Sequence, residues 1–235
     1  MDKLRIVSYI NEPFRNRKEA GSLLARELRE LKEKEALILG IPRGGVVIAA
    51  ELAKFLNADL DILLSRKIGA PSNPELAIGA VTEDGKVFLN DVLAFQVNVD
   101  MGYIEKQKSR QLNEINNRLK IYRKAHQKVN VRAREVVVTD DGIATGATMQ
   151  AALMALRQEK PAGLTAAIPV CAKESAKKLT EYADKVLVLR SPDYLGAISQ
   201  FYLDFSQVSD DKVIKILKEA HTFKKDEKRA LGKSN

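Results

Sequence analysis

The sequence predicts an α/β protein: a mostly parallel sheet flanked by helices, with a helical insertion. Three observations carry this. ALILGI (36–41), the small-residue run GGVVIAAELAKFLN (44–57) and DLDILLS (59–65) form a strand–helix–strand unit, which implies parallel strands joined by a right-handed crossover. REVVVTD (134–140) is a second strongly apolar strand that runs through GIATGAT into the helix MQAALMALRQEK. Two further alternations follow, LTAAIPVC then AKESAKKLTEYA, and DKVLVLRS.

The elements between these anchors read in order. After an extended N-terminal piece, Leu23, Leu24, Leu28 and Leu31 recur at helical spacing and predict a helix over 17–35. RKIGAPSNPE (66–75) holds a glycine and two prolines and is expected to be a loop. LAIGAVTEDGKVFLN (76–90) alternates around Glu83-Asp84-Gly85, a hairpin signal. A long polar helix follows over about 100–128, within an insertion of about 91–130; its few apolar residues suit a projection or a narrow packed stripe. The aromatic-rich SPDYLGAISQFYLDF leads to a last helix, DDKVIKILKEAHTF. Residues 1–221 read as one domain, and the basic tail 222–235, without apolar periodicity, is expected to be disordered.

Composition narrows the function classes. The 235 residues are 45% hydrophobic and 30% charged, as in ordinary globular proteins. No apolar run approaches a membrane span, and the N-terminus lacks a signal-peptide pattern, so a cytoplasmic protein is expected. Cys171 is the only cysteine, which excludes an internal disulfide and a multi-thiolate metal site; its apolar surroundings point to a buried, inert thiol. The net charge of +8 is concentrated: residues 104–135 hold ten Lys or Arg against three acids, and the tail holds five against two. That helix is either a solvated face or an electrostatic surface for phosphates or nucleic acid. His126 and His221 stand alone in sequence and are expected to be exposed.

The most informative run is VVVTDDGIATGATM (136–149). A buried strand ends in two carboxylates, and a small-residue loop then opens a helix. In open α/β sheets ligands bind outside the carboxyl ends of strands, and free amides at a helix N-terminus favour a phosphate. Thr145 and Thr148 add hydroxyl donors, and Gly146 and Ala147 permit close backbone approach. Asp140 and Asp141 would repel that phosphate unless they face a ribose diol or a cation. A sugar phosphate therefore fits better than a bare triphosphate, and neither GxxxxGK[ST] nor GxGxxG is present.

This run resembles the PRPP (5-phosphoribosyl-1-pyrophosphate) motif of type I phosphoribosyltransferases, and is similar to the adenine phosphoribosyltransferase version. The resemblance implies that Asp140 and Asp141 lie by the ribose hydroxyls, and that the loop Gly142, Ile143, Ala144, Thr145, Gly146, Ala147, Thr148 holds the 5′-phosphate. It also implies Mg²⁺ held mainly by the substrate, with Asp140 and Asp141 as possible ligands. Where hypoxanthine-guanine enzymes carry an aspartate proposed as base, this chain has Ala144, so that role does not carry over.

GIPRGG (40–45) ends one strand and opens a helix, where the family keeps its pyrophosphate loop. The resemblance places Arg43, Gly44, Gly45 and Lys67 at the pyrophosphate, and Arg43, Arg66 and Lys67 as the electrostatic catalytic groups. The family's strained peptide bond is expected at Ile41-Pro42 or Pro42-Arg43, a cis bond being the less costly at Ile41-Pro42. The likeness extends to FRNRKEAGSLLARELREL, RKIGAPSNPELAIGAV and QFYLDFSQVSDDKVI, as in a group of phosphoribosyltransferases of unassigned acceptor. It implies transfer of phosphoribosyl from PRPP to a nitrogen nucleophile, a nucleobase first among candidates, by a magnesium-dependent homodimer. The family's hood over the base is expected from the insertion or from 191–205. There Tyr194, Phe201 and Phe205 read as core residues, while Tyr103 and Tyr122 on the charged helix stay ambiguous. Glu75, Glu83 and Asp84 are base candidates that spacing does not separate. The alternative is a PRPP- or nucleotide-sensing regulator that binds RNA or DNA through 104–128 and the tail.

Overall fold

A computed structural model describes residues 2–32 and 34–223. The tail expected to be disordered lies, past residue 223, outside the described residues, and so does the side chain of His221. The chain runs β1 (Leu4–Ser8), α1 (Arg17–Glu27), β2 (Leu37–Gly40), α2 (Gly44–Leu56), β3 (Asp59–Ile62), β4 (Ser65–Ala70), β5 (Asn73–Thr82) and β6 (Val87–Leu89). It continues with α3 (Asp91–Gln96), α4 (Met101–Ala125), β7 (Glu135–Thr139), α5 (Ala147–Gln158), β8 (Gly163–Val170), α6 (Lys173–Leu179), β9 (Lys185–Arg190) and α7 (Asp210–Phe223).

Six strands form one parallel sheet in the order β1-β9-β8-β7-β2-β3. Alternate residues of each strand feed two cores, as the period of two requires. Ile38, Leu60, Val137 and Ala167 pack under α1 and α2. Leu37, Leu39, Val136 and Val138 pack under α5 and α6, against Met149, Leu153 and Leu179. From β2 the chain moves to β3 on one side; from β7 it moves through β8 to β9 on the other. The strand order thus reverses between β2 and β7, and a crevice opens there at the carboxyl ends of the strands.

A second, antiparallel sheet β4-β5-β6 stands beside this core. It corrects the loop expected over 66–75: the segment pairs as a hairpin whose turn is Pro71-Ser72. The prolines and glycine that argued for a loop are accommodated by register irregularities at Ile68–Ala70, and Gly69 is needed because a Cβ there would collide with the Pro74 backbone. One face of this sheet sets Ala80 on Ala151 and Ala155 of α5, and the other sets Ile68, Ile78 and Val81 toward Ile104, Ile115 and Tyr122 of α4.

The long polar helix α4 is therefore packed along a narrow stripe. Tyr122 is fully buried, with its hydroxyl on Asp210 of α7. His126, expected to be exposed, is instead buried with its Nε2 3.8 Å from Asp61 Oδ1. It extends the Tyr122 stripe by one turn, a continuation that the surrounding charges mask in sequence. The helix expected over 17–35 ends at Glu27, with a short 3₁₀ turn at Arg29–Leu31.

Candidate active site

The crevice between β2 and β7 brings the two motif loops together. Ile41 N–H donates to the Thr139 carbonyl at 3.0 Å, extending the β2–β7 pairing into the loops. Gly44 and Gly45 then pass against the acid pair: a Cβ on Gly44 would overlap Asp141 Oδ2, and one on Gly45 would lie 2.7 Å from the Thr139 carbonyl. The two glycines thus serve loop-to-loop contact, whatever else their amides do. The Pro42-Arg43 bond is cis, at one of the two positions expected for the special peptide. Arg43 is half-buried at the start of α2, and no side chain caps that helix.

The two aspartates are not equivalent. Asp141 accepts from Arg17 Nε and pairs with its Nη2, both at 2.8 Å. Asp140 accepts the Asp141 amide at 2.8 Å. Burial, and then the neighbouring negative charge of Asp141, hold the Asp140 carboxyl well above the usual carboxylate range. A diol donating hydrogens, or a cation, would relieve this site; the donor set therefore fits a magnesium ion brought by a substrate. Among the described residues no group of three or more His, Cys, Asp or Glu forms a ready-made metal cage.

Sequence reasoning missed the residue that holds the pair. Arg17 is the first residue of α1, set by the Asn16 cap, whose side chain accepts from the Lys18 and Glu19 amides. Its guanidinium lies 3.8 Å from the Phe205 ring centroid and donates to the Ser206 carbonyl at 3.0 Å. Tyr202 donates its hydroxyl to the Asp141 carbonyl at 2.6 Å. Phe14 and Phe201 tie these segments together through Phe14 N–H to the Phe201 carbonyl, 2.8 Å. Of the three aromatics read as core, Phe201 is buried and Phe205 packs against the core, but Tyr194 is 82% exposed, a correction: it lies in the loop that follows β9. The signal for Arg17 was its place in FRNRKEAG, which shows no partner without the fold.

In the loop after β7, Ile143 is a packing residue. Its side chain is buried and its N–H donates to the Val170 carbonyl at 2.8 Å. Gly142 is crowded by Ile198. Ala144 and Thr145 are exposed, and the Ala144 carbonyl accepts from Ser175 Oγ at 2.6 Å. Gly146 caps α5 with φ of 82°, so the amides of Ala147 and Thr148 begin a helix that no side chain caps. Thr148 is exposed beside them.

The hairpin β4–β5 reaches over this loop. Lys67 Nζ pairs with Glu75 Oε1 at 2.8 Å, and Thr145 Oγ1 donates to Glu75 Oε2 at 3.1 Å. The Lys67 and Thr145 contacts hold the Glu75 carboxyl below its ordinary range. Lys67 therefore stands at the loop, whereas Arg66, on the opposite side of the strand, pairs with Glu114 of α4 at 2.5 Å. Glu83 is committed to Arg123, 2.9 Å, and Asp84 to Lys86, 2.7 Å. Cys171 is buried, and desolvation pushes its thiol up to about 12.

Comparison with known proteins then places the chain. Residues 14–206 match the family model of the phosphoribosyl transferase domain. Two Mycobacterium tuberculosis proteins, from strains CDC 1551 and H37Rv, are described as candidate phosphoribosyl transferases. Each is 39% identical over 208 residues, covering 88% of this chain and 47% of its own length. The chain thus spans about half the length of these curated relatives. The crystal structure of TT1426 from Thermus thermophilus superposes with a TM-score of 0.84 at 42% identity, over 88% of this chain and 98% of that one.

Proposed function

The chain belongs to the phosphoribosyl transferase family, and on that premise we propose that it transfers the phosphoribosyl group of PRPP to a nitrogen nucleophile, releasing pyrophosphate. The observation that carries this reading is the acid pair at the strand-order reversal, facing GIPRGG across the crevice and beside the uncapped start of α5.

In this reading Asp140 and Asp141 accept from the ribose 2′- and 3′-hydroxyls, and Arg17 keeps Asp141 turned toward them. The end of the loop, Ala144 to Thr148, with Ala144, Thr145 and Thr148 exposed, receives the 5′-phosphate through amides and the two threonine hydroxyls. Arg43, Lys67 and the Gly44 and Gly45 amides face the pyrophosphate. The C1′–oxygen bond breaks with its electron pair leaving on pyrophosphate, and the acceptor nitrogen's lone pair forms the C1′–nitrogen bond. Cations placed where that charge develops lower the barrier. When bound, Mg²⁺ supplies further positive charge to the pyrophosphate. With alanine at position 144, the acceptor's proton finds no carboxylate side chain there.

A polynucleotide-binding reading has less support, because Arg123, Lys128 and Arg134 of the basic segment are engaged in ion pairs with Asp61, Glu83, Glu159 and Asp59. The test is calorimetric titration with magnesium and PRPP, followed by a panel of nucleobases and related heterocycles scored by pyrophosphate release. The native chain should bind PRPP and release pyrophosphate with at least one acceptor. Equal PRPP affinity in the Asp140→Asn, Asp141→Asn double variant would sink the assignment.

A further inference from the structure

We propose that Tyr122 of α4 is a positioning residue for the pyrophosphate loop: its hydroxyl holds the Asp210 carboxylate, which would otherwise close on Arg43 and take its guanidinium from the leaving group. The inference rests on the function proposed above for the part played by Arg43. Three elements meet at this point. Arg43 opens α2, and its carbonyl accepts the Val46 amide at 3.3 Å. Val46, Tyr122, Val208 and Val213 share one buried cluster, so the start of α2, the end of α4 and the start of α7 are packed together. Asp210, the first residue of α7, lies in sequence between Val208 and Val213.

The charges at this junction are unevenly committed. Tyr122 is fully buried, and its hydroxyl donates to Asp210 Oδ1. Desolvation, then the bond to Asp210, push the phenol well above its usual range, so it stays a donor at any working pH. Arg118 and Arg43 act on the phenol in the opposite sense, which puts both cations in the electrostatic neighbourhood of this pair. Among the described residues, however, the Arg43 side chain makes no hydrogen bond or ion pair. Arg43 and Asp210 are both half-buried, where attraction between opposite charges is screened less than at an open surface. The hydroxyl is what keeps the carboxylate engaged elsewhere. Packing alone does not require it, since Phe fills the same space without a polar group to desolvate. The start of α7 does not require Asp210 either, because Asp211, exposed beside it, places an acid in the same first turn.

The test uses the full chain carrying Tyr122→Phe, Arg43→Ala or both, by scanning calorimetry without ligand and by titration with magnesium–PRPP. In Tyr122→Phe the released carboxylate should pair with Arg43. PRPP should then bind about fivefold more weakly, the upper scale of a partly exposed ion pair. Pyrophosphate release should fall by more than the affinity, because Arg43 is proposed to meet charge that develops only as the bond breaks. Adding Asp210→Asn to Tyr122→Phe should return PRPP affinity toward the native value, a rescue that mere loss of packing does not permit. In Arg43→Ala, adding Tyr122→Phe should weaken PRPP no further. The ligand-free cycle reads the same contact: Arg43→Ala should lower Tm by about 2–4 °C more in Tyr122→Phe than in the native chain. Any one of three results would overturn the inference: additive Tm shifts, native PRPP affinity in Tyr122→Phe, or a PRPP defect that Asp210→Asn leaves in place. A native chain that does not bind PRPP would instead sink the proposed function, and the Tm cycle would still decide whether Tyr122 keeps Asp210 off Arg43.

Discussion

Arg17→Met tests the arrangement at its least obvious point. The change keeps most of the aliphatic stem but removes the guanidinium that pairs with Asp141, stacks on Phe205 and donates to the Ser206 carbonyl. Asp141 is then left beside a second carboxylate with no cation. Breaking a buried pair costs about 3–5 kcal/mol. The side chains here are 10% and 20% exposed, so the lower end, about 3 kcal/mol, applies. For a chain of this size that corresponds to a fall in Tm of roughly 6–12 °C. Scanning calorimetry measures it. Adding Asp141→Asn should restore part of the loss, because the stranded charge is gone, and the cycle of variants isolates the pair's coupling. Magnesium–PRPP should bind about tenfold or more weakly to Arg17→Met, a loss of about 1.4 kcal/mol. A Tm within about 2 °C of native, less than the shift expected for 1 kcal/mol, together with unchanged PRPP affinity, would refute the view that Arg17 organises the acid pair.

Four further outcomes follow from the same geometry. Asp140 has a raised pKa, so the folded chain binds the extra proton: stability from this group is full below the ordinary carboxylate range and is lost as pH rises through the raised folded value. Asp140→Asn should therefore melt like native near pH 4 and higher than native at pH 7, by about 2–4 °C per kcal/mol relieved, while losing PRPP binding; a lower Tm at pH 7 contradicts the account. Glu75 places a carboxylate on Thr145, where the 5′-phosphate is proposed to sit. Glu75→Gln should tighten PRPP binding by about two- to fivefold, the scale of an exposed charge contact, and weaker binding in calorimetry would show that Glu75 supports the site instead of competing for it. Gly44→Ala drives a methyl group into the Asp141 carboxylate and should destabilise by about 1–3 kcal/mol, read by urea denaturation, with PRPP binding lost. Arg43→Ala should lower turnover by about 10²–10³, and near-native pyrophosphate release would remove Arg43 from the leaving-group side.

The sequence determined the local parts. Periodicity of two and of 3.6 placed the parallel strands and most helices, and VVVTDDGIATGATM named the loop because carboxylates, glycine and hydroxyls in that order have few other uses at a strand end. The cis bond fell at Pro42-Arg43, inside the tripeptide marked for it. What sequence could not carry were relations between distant segments. The 66–75 hairpin forms because pairing with neighbours and packing on α5 and α4 outweigh turn-forming residues. His126 is buried because α4 lies across Asp61, far earlier in the chain. Arg17 reaches Asp141 across 124 positions. The raised pKa of Asp140 likewise arises from burial and from the neighbouring Asp141, and the Asp141–Arg17 pair joins distant segments, all set by packing. Local propensity acts over a few residues, whereas desolvation and ion pairing depend on which surfaces meet, and only the folded chain decides that.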